Sequence, residues 1–362
     1  MALKRTFRAD GTSQVRSRGF TLIELLVVVA IIALLISILL PSLSAARNSA
    51  KAVKCAANLS QVGKAVNIYL AENRGIFPPS YVYPKDAGGS WDPNNQPPGN
   101  NYGYLHWSYF LYGKGEAGAD AFKCPNFQNG GAPRTNPGPK GEDWEIGEQE
   151  DDAGATGPST GVTEDKQAPR MAYIANTAVM PRNKFTLQIL QATVPNVGSP
   201  PRLNRFVRDT ELKSAGNVIL ATEMHNNWKV MSKSVGSNFL SKSHRSINPF
   251  YHPSGDWNEF ASPGQGFRMG PPGDATYGLQ PLDVLTNGAD LTSGVGHAQL
   301  NAVGRHHPGG DKWGGTANFM YCDGHVERST VLKTIQDRRW GDKFYSLTGG
   351  YTELMLLNQA IP

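Results

Sequence analysis

Hydrophobic residues are spread unevenly along the 362 residues of this chain. From Phe20 to Leu40 it reads FTLIELLVVVAIIALLISILL, apolar all round a helix, with Glu24 as the single charge. At about 1.5 Å per residue such a helix spans roughly 30 Å, the thickness of a bilayer core. No other stretch comes close, so a single transmembrane helix is predicted over Phe20 to Leu40. Past Pro41 the pattern becomes one-sided. Cys55, Leu59, Val62, Val66 and Tyr69 fall at alternating steps of four and three, while Arg47, Lys51, Lys54 and Lys64 lie largely off that face. Gly75, Pro78 and Pro79 close the run. The prediction is one helix from about Phe20 to about Asn73, with a kink at Pro41. Its second half, residues 41–74, is an amphipathic stalk whose apolar stripe lies against a globular head.

Residues 75–362 have another texture, rich in Gly, Pro, Asn and Tyr, with short apolar runs. This pattern predicts a loop-rich antiparallel sheet. The expected strands are Arg170–Ala175, Asn217–Glu223, Ala317–Cys322 and His325–Arg328. Asp323-Gly324 between two apolar runs predicts a hairpin with both turn residues at positive φ. A stretch of low hydrophobicity near residues 130–169 reads as a disordered-like acidic insertion. Within it, Glu142 to Asp152 holds seven acids and no Lys or Arg. The sharper reading of that run is a Ca²⁺ site, although no EF-hand spacing is present. The fold class is therefore α+β: a long N-terminal helix packed on a β-rich head.

Composition and charge narrow the function. Three Cys in 362 residues exclude a small disulfide scaffold, and 40 Gly exclude collagen. The negative mean hydropathy excludes a polytopic membrane protein. The pI of about 9.0 invites a nucleic-acid reading. Its source argues otherwise: Lys4, Arg5, Arg8, Arg16 and Arg18 against Asp10 supply four of the five net positive charges within residues 1–19. No comparable basic cluster follows, so no nucleic-acid partner is expected. The basic flank instead orients the helix, with residues 1–19 on the cytoplasmic side and the head across the membrane.

A cleaved secretory signal would have a shorter apolar region, of about 7–15 residues. Neither that reading nor a plain signal anchor explains Glu24, since a carboxylate at the bilayer centre costs about 2.5–3.5 kcal/mol. The residues Arg18-Gly19-Phe20-Thr21-Leu22-Ile23-Glu24-Leu25-Leu26 resemble the cleavage and methylation motif of type IV prepilins and type II secretion pseudopilins. The resemblance implies a pilin-like fold and a leader, residues 1–19, removed between Gly19 and Phe20 by a prepilin peptidase. It implies N-methylation of Phe20 and a role for Glu24, fifth in the mature chain, in assembly. Pro41 also falls where the family commonly has a Pro.

The stalk and head resemble a large-headed, planctomycete-type group of such proteins. Lys54 to Gly63, Phe122-Lys123-Cys124-Pro125, Tyr173-Ile174-Ala175-Asn176, Asn217 to Ala221 and the Ala317–Glu327 stretch carry that likeness. The group's C-terminal signature is a His, nine residues, then Asp-Gly. Here fifteen residues separate His307 from Asp323, and the excess reads as an insertion around Gly310–Gly315. His306, His307, Asp311, Asp323 and His325 match no standard zinc spacing. His307, Asp323 and His325 are thus read first as turn and loop residues and only second as metal ligands. No metal or other cofactor is expected apart from the Ca²⁺ reading. Cys55, Cys124 and Cys322 all lie on the predicted extracytoplasmic side, and an odd count leaves one unpaired within the chain. Cys55 can pair with Cys124 or with Cys322. No nucleophile elbow, P-loop, dinucleotide fingerprint or HExxH helix is present, so no enzymatic activity is expected.

The resemblance implies a structural subunit held by one span in the inner (cytoplasmic) membrane, with its head periplasmic or extracellular. Its implied partners are the prepilin peptidase and N-methyltransferase, other pilin or pseudopilin subunits, and an inner-membrane assembly platform. The filament would be of the type II secretion or type IV pilus kind. The alternative is a membrane-anchored head that binds a ligand or acts as a metal-dependent enzyme.

Overall fold

A computed structural model describes residues 20–92, 102–134, 164–181, 206–225, 245–250, 269, 276–282, 284–285, 299–341, 343–345 and 351–353. Gly19 and the acidic run Glu142–Asp152, with its Ca²⁺ reading, lie outside the described residues. The chain divides into two compact units, Met1–Arg47 and Asn48–Pro362.

Helix α1 runs Leu22–Glu72 and passes through both units. In the first unit every described residue of the helix is exposed, and the apolar run presents its side chains all round. Among the described residues this is the one helix long and apolar enough to cross a membrane. Pro41 sits inside α1 without ending it. It lacks the N–H that would reach the Ser37 carbonyl.

From Asn48 onward α1 is part of the head unit. The predicted stripe of Cys55, Leu59, Val62, Val66 and Tyr69 is buried, and Lys51, Lys54 and Lys64 remain exposed. Polar side chains fix the helix as well. The Asn58 amide donates to the carbonyls of Asp120 (3.0 Å) and Lys123 (2.8 Å). The Tyr173 hydroxyl donates to the Cys55 carbonyl at 3.0 Å. The helix ends where Arg74 and Gly75 take positive φ (56° and 73°), and the Gly75 N–H returns to the Leu70 carbonyl at 2.8 Å. That is a glycine-assisted C-terminal cap.

The remaining elements are β1 (Tyr81–Val82), β2 (Leu105–His106), α2 (Trp107–Tyr112), β3 (Tyr173–Asn176), β4 (Ile219–Glu223), β5 (Ser246–Ile247), β6 (His307–Asp311), β7 (Gly314–Tyr321), β8 (Val326–Ser329), α3 (Val331–Gln336), β9 (Lys343–Tyr345) and β10 (Tyr351–Glu353). The main sheet has the order β5-β3-β4-β7-β6, with β8 also pairing β7. All its pairs are antiparallel except β3–β5. The sheet is thus mainly antiparallel, as expected, with one parallel pair at its β5 edge. A parallel partner needs a long connection, and the chain from β3 returns to β5 only after passing through β4.

The insertion expected around Gly310–Gly315 has a place in the sheet, and the turn expected at Asp323-Gly324 is corrected. The stretch around Gly310–Gly315 is the tip of a β6–β7 hairpin, with Gly310 opposite Gly315 and Asp311 opposite Gly314. The excess between His307 and Asp-Gly is therefore paired backbone. At Asp323-Gly324 only Gly324 has positive φ (91°). The loop is longer than two residues: Tyr321 receives the Gly324 N–H at 2.9 Å, and the Tyr321 N–H reaches the His325 carbonyl at 2.9 Å. A loop of this length needs one left-handed residue, where a two-residue turn needs two. A Cβ on Gly324 would also lie 2.9 Å from the Asn67 amide nitrogen of α1, and a Cβ on Gly63 would lie 3.0 Å from the Gly324 carbonyl. Glycine at both positions lets α1 and the β7–β8 turn approach this closely.

Candidate functional site

Two places carry chemistry, one in each unit. The first is the start of α1. The Thr21 N–H and hydroxyl both donate to the Glu24 carboxylate at 2.9 Å, and the Glu24 N–H donates back to the Thr21 hydroxyl at 3.3 Å. Thr21-Leu22-Ile23-Glu24 is thus a reciprocal capping box, with Thr21 as the N-cap and Glu24 on the third helical residue. It satisfies amides that the first helical turn leaves without intrahelical partners. This gives the carboxylate a local partner that the sequence reading missed, although the T-x-x-E spacing carries it. Phe20 is exposed beside it.

The second place is a buried polar cluster where α1 meets the sheet. Glu223, the last residue of β4, is wholly buried and sits opposite Tyr173 of β3. Its carboxylate accepts the Asn318 backbone N–H at 2.9 Å and the Asn318 amide at 2.8 Å. His307 Nε2 lies 2.7 Å away. The Asn318 amide also donates to the Ala52 carbonyl of α1 at 3.1 Å. A buried carboxylate is tolerable only when its lone pairs are met by donors, and here three donors converge on it. Burial pushes the Tyr173 phenol well above its usual range, and the Glu223 charge adds to that.

The Asn126 amide donates to the His306 carbonyl at 3.2 Å and to His307 Nδ1 at 3.1 Å. That contact leaves the His307 proton on Nε2, aimed at Glu223. Beside it, the His306 ring meets the His307 ring edge to face at 4.6 Å. Its Nε2 lies 3.7 Å from Cys124 Sγ. Burial, then the neighbouring His307 and His225, push the His306 pKa down to about 3, so its ring is neutral at ordinary pH.

Cys55 of α1 and Cys124 are joined by a disulfide, while Cys322 is a buried free thiol. Of the two pairings open to Cys55, the structure holds the one with Cys124. Burial first, and the Asp323 charge second, push the Cys322 thiol far above its usual range, so it is a poor nucleophile. The Cys55 and Cys124 sulfurs, a Glu223 oxygen and a His307 nitrogen all lie within 4.8 Å of one another.

The residues first considered as metal ligands therefore separate. His307 belongs to this cluster. Asp323 and His325 meet each other in the β7–β8 turn, with His325 Nδ1 2.6 Å from the Asp323 carboxylate. The His325 ring also stacks on Tyr321 at 4.2 Å. Asp311 caps the β6–β7 hairpin by accepting the Trp313 N–H at 2.8 Å. Sequence reasoning missed Glu223, Asn318 and Asn126. The one signal for Glu223 is a charge at the end of an otherwise apolar strand.

Comparison with known proteins bears on the first place. Residues 15–40 match the model of the prokaryotic N-terminal methylation motif. The N-terminal segment of this chain is type IV prepilin-like. The chain is also similar to the type IV wide pilus major component PilA4 of Thermus thermophilus, at 46% identity over 57 residues. That match covers 16% of this chain and 44% of the relative's length. No solved structure matches. The likeness supports a pilin-like subunit whose apolar N-terminal helix suits membrane anchoring.

Proposed function

We propose that this chain is a prepilin-type structural subunit, cut between Gly19 and Phe20, methylated on the new Phe20 amine and assembled through α1 into a type II secretion or type IV pilus-type filament. The observation that carries this reading is the methylation motif, matched over residues 15–40, on a helix apolar enough to cross a membrane. The partners are then a prepilin peptidase with N-methyltransferase activity, other pilin or pseudopilin subunits and an inner-membrane assembly platform. The leader's basic residues hold it in the cytoplasm and place the head in the periplasm or outside the cell.

Cleavage changes what Glu24 faces. In the precursor its carboxylate caps the first turn of α1. In the mature chain a positive amine stands on Phe20, four residues earlier, and a carboxylate in the bilayer has reason to pair with such an amine. When the amine belongs to a neighbouring subunit, the pair sets the axial register of a filament. The head supplies the surface presented to other components, and the chemistry at Phe20 is done by the peptidase.

Mass analysis of the N-terminus of the membrane-extracted protein tests the reading. A terminus at methylated Phe20 is expected; an intact Met1 or a terminus near Ala46 refutes it. Glu24→Gln is expected to leave membrane insertion intact and to reduce filament incorporation. Undiminished incorporation removes the assembly role.

A further inference from the structure

We infer that Cys55, Cys124, Glu223 and His307 form a zinc site that exists when the Cys55–Cys124 disulfide is reduced, so that metal and disulfide are alternative ties between α1 and the head. Two sulfurs, one carboxylate oxygen and one imidazole nitrogen come together within 4.8 Å, all from buried residues. Two thiolates, an imidazole and a carboxylate are a donor set that zinc accepts in tetrahedral geometry, at about 2.3 Å to sulfur and about 2.0–2.2 Å to nitrogen and oxygen. Those radii place neighbouring ligand atoms about 3.3–3.8 Å apart. The 4.0 Å from Cys124 Sγ to Glu223 is close to this. The sulfurs reach it once their bond is broken, and the 2.7 Å from His307 to Glu223 widens as the proton between them leaves.

A disulfide alone explains little of what surrounds it, because it is apolar and asks for no carboxylate. Yet Glu223 has been carried wholly out of water to lie beside it, with two donors from Asn318 holding its orientation. Donors of that kind orient first ligands in metal sites. Asn126 does the same for His307, and its Oδ1 is buried with no partner among the described residues. Turning that amide over sets its oxygen against Nδ1, at the cost of its hydrogen bond to the His306 carbonyl. The imidazole proton then moves to Nδ1, and Nε2 keeps a free lone pair for the metal.

The exchange balances. A reductant gives two electrons and two protons to the disulfide, leaving two cysteine thiols; a dithiol ends as a cyclic disulfide, and a phosphine with one water ends as its oxide. Zinc binding then releases the two thiol protons to solvent. The charge of the buried site is the same before and after, since two thiolates cancel the ion and Glu223 stays anionic. With all four donors buried, the site keeps no open position for a substrate and is of the structural kind.

The test uses the full chain in detergent, oxidised or reduced with a phosphine, incubated with Co²⁺ or Zn²⁺ and desalted. One metal per chain is expected after reduction and none in the oxidised protein. The cobalt form should show the intense visible bands of a tetrahedral ion together with a thiolate-to-metal band. Glu223→Gln and His307→Gln should weaken binding at least tenfold, and Cys124→Ser should abolish it. Zinc should raise the melting temperature of the reduced wild type and leave the oxidised protein unchanged. Metal held equally by the oxidised protein or by Cys124→Ser overturns the inference. So does a reduced chain that keeps its circular dichroism and binds none, or one that unfolds and is not restored by zinc.

Discussion

Glu24 and Glu223 are both carboxylates set in apolar sequence, and they are satisfied in opposite ways. Glu24 finds its partners within three residues, on Thr21. Glu223 draws its partners from His307 on β6 and Asn318 on β7, and lies near a disulfide that ties α1 to the loop at Cys124. A local arrangement can form as soon as a helix turn forms, and needs nothing from the rest of the chain. A non-local one exists only in the finished fold, and each partner is costly to remove because none has water to fall back on.

Three substitutions, with a fourth as control, probe this contrast. The largest effect is expected for Glu223→Ala, which strips His307 and both Asn318 donors of their acceptor. Breaking a buried, hydrogen-bonded charge network of this kind costs about 3–5 kcal/mol, read as a large fall in the melting temperature of the head. A fall within error would mean that water enters the cluster and that the contrast with Glu24 is false. Next comes Gly324→Ala, at about 1–2 kcal/mol, from a left-handed φ of 91° and the nearness of Asn67. Gly115→Ala is its control, since Gly115 has a similar φ (85°) with nothing within 4 Å. Equal losses at the two sites would show that contact with α1 adds nothing. The smallest is Thr21→Val, which removes the N-cap hydroxyl. A lost cap costs about 1 kcal/mol. It should appear as roughly fivefold faster hydrogen exchange in the first turn of α1, with the melting of the head unchanged. A shift in head melting would show that the local site is coupled to the distant one.

Much of this was legible in the linear chain. The long apolar helix from Leu22, the stalk stripe from Cys55 to Tyr69 and the stop at Gly75 all follow from helical periodicity and glycine, which act over four residues or fewer. Four strands were placed to within a few residues. Tyr173–Asn176 begins later than expected because its first residues serve the loop, where the Ala172 N–H donates to Phe122, and Gly314–Tyr321 begins earlier because the β6 hairpin extends it. The capping box at Thr21 was equally local and was overlooked while Glu24 was read only as a charge in a membrane.

Other features could not be read this way. The choice of Cys124 over Cys322 as partner of Cys55, the parallel seat of β5 and the meeting of Glu223 with His307 join residues tens of positions apart. By itself the sequence determined the long apolar helix, its stalk stripe, four of the strands and the methylation motif, because spacing along one helix or strand decides which side chains share a face. Tertiary structure alone decided the buried cluster. Its residues are ordinary in isolation, and only the packing of α1 on the sheet removes the water that would otherwise have satisfied each of them separately.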